Sequence, residues 1–185
     1  MTSSERYVKA IEHIRELKQE NRSADVTQFL LSEIQNCTHL EDKLLLMEEL
    51  ATEYQFHDNF TNAEECIRKC IELDAVSPYH WISLAEHFHY YNVDLVRAMS
   101  AIEVAIGRAI ASGDFVRQAH GVRIRIGLEM KNLEAVTDSL KALIEYEPRQ
   151  GCTDVGLEKD FIKRIEALGV APDLARQYAI KAGSS

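Results

Sequence analysis

The chain has 185 residues, 46% hydrophobic and 28% charged, with eight glycines and three prolines; that mix excludes collagen-like, proline-rich and disordered chains and suits one domain or one short repeat array. Lysine and arginine total 21 against 30 aspartates and glutamates, a formal net charge of −9; such a chain repels phosphate backbones, so no nucleic-acid partner is expected. The longest apolar runs are only a few residues, such as Leu44 to Met47, far below the roughly 20 that a membrane helix needs, so no membrane partner is expected either.

The first residues lead into a charged amphipathic segment without an apolar core, which predicts no secretory signal and a cytoplasmic location. No glycine occurs before Gly107, and Pro78 is the only proline before Pro148. So few breakers predict helices joined by tight turns. The apolar spacing is helical: Tyr7, Ile11, Ile14 and Leu17 form one stripe, Phe29, Leu30 and Ile34 another, and Leu133, Val136, Leu140 and Leu143 a later one. Ten helices are expected, near 3–21, 24–37, 40–57, 60–74, 78–91, 94–111, 114–130, 132–146, 153–168 and 172–182. Thr2 with Glu5, Thr38 with Glu41, and Thr61 with Glu64 have the spacing of capping boxes. Ser77 before Pro78 is a further start signal, and Gly169 with Pro172 marks a late turn. The fold class is therefore all-α, built from antiparallel helix pairs.

Charge is unevenly placed along these elements. Residues 1–74 hold 16 acids and 8 bases, whereas residues 113–185 hold 11 of each. An acidic half steers encounter with a basic partner; the plainer reading is a set of solvated helix faces.

One offset recurs. Met47, Leu50, Ala51 and Tyr54 are followed 34 residues later by Trp81, Leu84, Ala85 and Phe88. Small residues seven apart mark the following helices: Ala63 and Cys70, Ala98 and Ala105, Ala135 and Ala142. Two turns separate each pair, so both members share a face that another helix can approach closely. This pattern resembles the tetratricopeptide repeat family, whose unit has a Trp-x-x-Leu-Gly-x-x-Tyr first helix followed by Ala-x-x-x-Phe. The best match is residues 44–77, the second unit starts at Pro78, and the third is degenerate in its first helix, around Gln118 to Met130. The resemblance covers 44–148 and implies a short right-handed superhelix, with a helix pair at 1–40 and capping helices at 152–185, in a single helical-repeat domain over 1–185.

Motifs that carry chemistry are missing. The sequence contains no Walker-type phosphate loop, no GxGxxG, no HExxH and no CxxC, so no cofactor, metal site or catalytic residue is expected. The four cysteines, Cys37, Cys66, Cys70 and Cys152, read as reduced thiols. Cys66 and Cys70 would share a helix face, where two metal ligands or two small buried residues would serve equally by spacing. His87 and His89 point to different helix faces; His80 and His87 would share one.

Family resemblance implies that the first helices of the units line a concave wall that binds extended segments of partner proteins. The matched positions are Leu45, Glu48, Glu49, Thr52 and Gln55, then Tyr79, Ile82, Ser83, Glu86, His89 and Tyr90, and in the third unit Arg117, His120 and Arg125. The wall is acidic at one end, aromatic in the middle and carries arginines at the other. The lysine and asparagine clamp that some relatives use for a terminal carboxylate is absent, since Glu48 and Thr52 occupy matching places. The expected function is a non-enzymatic protein–protein interaction module, an adaptor or chaperone-like scaffold, with a protein or peptide partner; a basic partner would suit the acidic half. The alternatives are an acidic immunity-type inhibitor of a basic toxin or nuclease, and a secretion chaperone.

Overall fold

A computed structural model describes residues 3–20, 22–147, 159–169 and 171–183. Its helices are α1 (Ser3–Gln19), α2 (Ser23–Asn36), α3 (Leu40–Phe56), α4 (Phe60–Leu73), α5 (Pro78–Tyr90), α6 (Leu95–Ser112), α7 (Val116–Glu129), α8 (Leu133–Glu145), α9 (Lys159–Ala167) and α10 (Pro172–Gly183). No strand occurs among the described residues. The fold is all-α, as the periodicity requires. The expected first residues of the ninth helix, 153–158, lie outside the described residues, as do Thr2, Pro148 and Cys152.

Burial follows the helical period. On α4, Ala63, Cys66, Ile67 and Cys70 are buried; on α6, Ala98, Ala101, Ile102, Ala105, Ile106 and Ala109 are. Each fully buried leucine or isoleucine contributes about 1.5–3 kcal/mol relative to exposure. Alanine and cysteine supply less, but they let the helix pairs close up.

The helices gather into two compact units, Met1–Ala75 and Val76–Ser185. In the first, α1 packs on α2 and α3, α2 on α3, and α3 on α4. In the second, α5 packs on α6 and α7, α6 on α7, and α7 on α8, while α10 packs on α8 and α9. Within the first unit α1 thus touches both its partner α2 and the next first helix α3, and within the second α5 does the same with α6 and α7. The N-terminal pair α1–α2 follows the same rule although it lacks the sequence signature. The core of the second unit joins Ile124, Val136, Leu140, Leu143, Ile162, Ile165, Ala175 and Tyr178.

Three turns share one backbone solution. Asp58, Val93 and Lys131 take left-handed conformations at φ of 55, 50 and 56°. Each is followed by the N-cap of the next helix: Asn59, Asp94 and Asn132. The N–H of each cap residue closes the preceding helix, Asn59 onto the carbonyl of Tyr54, Asp94 onto Phe88 and Asn132 onto Gly127. The turn therefore fixes the register of the third pair. Gly127 stands where Tyr54 and Phe88 stand, and Val136, Leu140 and Leu143 take the places of Ala63, Ile67 and Cys70.

That register corrects the expected small pair Ala135 and Ala142: Ala142 is only partly buried, whereas Leu143 is 1% exposed. A Cβ at Gly127 would meet Val136 Cγ2 at 3.1 Å and the Asn132 carbonyl at 3.3 Å, so α8 sits closely over that glycine.

Two of the three capping boxes are corrected. The N-cap of α3 is His39 and that of α4 is Asn59, neither with a side-chain cap bond. Thr38 precedes its cap and Thr61 lies inside its helix, because the left-handed Asp58 starts α4 two residues earlier than the threonine spacing suggests. Side-chain caps appear instead at Asp94, which accepts from the Arg97 N–H, and at Asn132, which accepts from the Ala135 N–H. Pro78 opens α5 and Gly169, at φ 67°, ends α9, as expected.

Candidate functional site

The expected wall divides between the two units. In the first unit it lies on α3, beside α1. Leu45 and Thr52 are exposed, while Glu48, Glu49 and Gln55 are half-buried. The Thr52 hydroxyl donates back to the Glu48 carbonyl at 3.0 Å, and the Tyr7 hydroxyl on α1 donates to Glu49 Oε1 at 3.0 Å. Glu49 is therefore an internal tie between helices, and a charge reversal there would break a fold contact as well as any partner contact.

One turn further along α3 lies Glu53, which the sequence reading missed. Its side chain is 2% exposed and is held by Lys18 Nζ at 2.6 Å and His57 Nε2 at 3.2 Å. A buried carboxylate needs such partners. Nothing in the linear pattern distinguishes it from other helix-face glutamates, because Lys18 is 35 residues away.

In the second unit the wall lies on α5 and α7, which pack side by side. Tyr79, Ser83, Glu86 and Tyr90 recur at helical spacing on α5 and keep part of their surface in solvent. The Tyr79 ring leans on Phe115 with centroids 5.7 Å apart. Arg125 Nη2 on α7 donates to Glu86 Oε1 at 3.2 Å. Tyr90 is 52% exposed; partial burial still raises its hydroxyl pKa, opposed by Arg125 and reinforced by Glu86 and Glu129. Arg117 is half-buried, its guanidinium 6.0 Å from the Tyr146 ring.

Three expected wall residues are corrected by burial. Ile82, His89 and His120 are nine-tenths buried or more, so they offer a partner little surface. Ile82 faces the helix core. His120 falls at the register position of Met47 and Trp81, which faces inward. Burial first, and Arg123 second, depress its pKa to about 4, so the ring is neutral near pH 7. His89 Nε2 lies 2.9 Å from Glu129 Oε1, without the alignment of a hydrogen bond. Glu129 was not anticipated. It aligns with Tyr90 only through the turn register, which the degenerate helix conceals.

The thiols of Cys66 and Cys70 are buried on α4. Burial drives the Cys66 pKa to about 11 and that of Cys70 higher still. Neither is a free thiolate near neutral pH, and both pack as small buried side chains on α4. No helix among the described residues is long and apolar enough to cross a membrane.

No protein-family model matches the chain, and no curated protein matches it.

Proposed function

We propose that this chain is a non-enzymatic, tetratricopeptide-like interaction module, an adaptor or chaperone-like scaffold, and that the α5–α7 wall takes an extended segment of a partner protein. One observation carries this reading. Tyr79, Ser83, Glu86 and Tyr90 form a part-exposed stripe of four positions along α5, flanked by Arg125 and Glu129 of the neighbouring helix. Aromatic side chains give large contact area at low entropic cost, and the flanking charges set orientation. A random peptide library selected on the full chain tests it. Enriched peptides should lose binding when Ser83→Trp fills the middle of the stripe. Peptides that still bind the Ser83→Trp protein would remove the wall from the proposal.

A second reading has its own motive, the 16 acids against 8 bases in residues 1–74. An inhibitor or secretion chaperone for a basic protein would associate fast at low salt and slow steeply as salt rises. An association rate that is flat with salt would count against it.

A further inference from the structure

We infer that the Tyr90–Glu129 corner of the α5–α7 wall is a receptor for one basic side chain, arginine above all, of the bound segment; this rests on the wall being the binding surface. Four features meet there. The Tyr90 ring is 52% exposed and lies 4.3 Å from the His89 ring. The Glu129 carboxylate is 55% exposed, and the His89 side chain beside it is 2% exposed. Neither ring nitrogen of His89 makes a hydrogen bond, although Nε2 sits 2.9 Å from Glu129 Oε1. Glu86 and Arg125 pair at 3.2 Å alongside and offset each other's charge.

The corner thus presents an open aromatic face, a carboxylate in water and a buried imidazole with unused hydrogen-bonding capacity. A buried imidazole whose ring nitrogens make no hydrogen bond is unfavourable. A guanidinium answers the two exposed features: it stacks on the tyrosine face and donates two parallel N–H groups to the carboxylate. A lysine ammonium answers the carboxylate but has no plane to stack. An acidic side chain would meet Glu129 as a like charge. The formal net charge of −9 favours approach of a basic segment over an acidic one.

The test uses the full chain and fluorescein-labelled nine-residue peptides, identical except for a central arginine, lysine, glutamine or glutamate, with amide chemical shifts followed in parallel. The arginine peptide should bind most tightly and shift the amides around Tyr90 and Glu129. Glu129→Gln should weaken it about fivefold or more, the scale of one part-exposed charge pair. Tyr90→Phe should retain binding and Tyr90→Ala should lose it. Glu72→Gln, which removes an exposed charge on α4 and none from the corner, should change affinity less than about twofold. Equal weakening by Glu72→Gln would reduce the effect to the general field and overturn the corner. Equal binding of the glutamine peptide, or shifts that avoid Tyr90 and Glu129, would overturn it as well. If library peptides blocked by Ser83→Trp contain no basic residue, the wall stands and the corner falls.

Discussion

The two units tie their neighbouring first helices together with opposite halves of an acid–base pair. In the first unit the acid is buried: Glu53 is 2% exposed, while Lys18 and His57 keep 48% and 44% of their side-chain surface in solvent. In the second unit the base is buried: His89 is 2% exposed and Glu129 is 55% exposed. The distinction matters because a buried carboxylate needs partners for its charge, whereas an exposed one is served by water. The first tie therefore depends on Lys18 and His57, and the second leaves Glu129 open to something else.

The largest expected effect is in the second unit and comes from acid. Unfolded His120 binds its proton near pH 6.5, but the folded residue resists it down to about 4. The unfolded state therefore gains protons first as pH falls. The stability that His120 supports is whole above pH 6.5 and declines toward pH 4, by up to about 3 kcal/mol. Trp81, the one tryptophan, lies on α5 and reports on this unit. Denaturant titrations followed by its fluorescence at pH 7 and pH 5 should show the loss, and His120→Gln should flatten it. An unchanged slope in that variant would assign the acid sensitivity to other groups.

Next comes the buried acid. Lys18→Met leaves the Glu53 carboxylate with only His57 and should destabilise by about 2 kcal/mol, below the cost of breaking a fully buried pair because Lys18 is half in water. Adding Glu53→Gln removes the stranded charge and should recover more than half of that. If the double variant is as unstable as the single one, the damage is lost packing of the lysine stem and the contrast between the units fails.

The smallest effect sharpens the contrast from the other side. Glu129→Gln should cost less than about 1 kcal/mol, since its charge is exposed. A loss as large as that of Lys18→Met, measured in the same denaturant series, would make the two ties equivalent.

Much of the fold was legible in the sequence. Ten helices and most of their ends followed from apolar spacing and scarce breakers, and Leu50, Ala51, Leu84 and Ala85 are all buried as their 34-residue offset implies. The repeat register of the third pair's first helix was not legible. Repeat alignment leans on large residues, and Gly127 occupies the place held elsewhere by Tyr54 and Phe88. The capping boxes misled for a related reason: spacing identifies a cap only after the turn has chosen which residue precedes the helix.

The sequence by itself determined helix, pairing and the acidic balance, because these depend on local periodicity and on sums. Only the tertiary structure decided which polar residues are stranded or satisfied. Glu53 and Glu129 look alike along the chain, and so do His89 and His57. Lys18 lies 35 residues from Glu53 and His89 lies 40 from Glu129, and burial sets whether a charge must be matched or can be left to water.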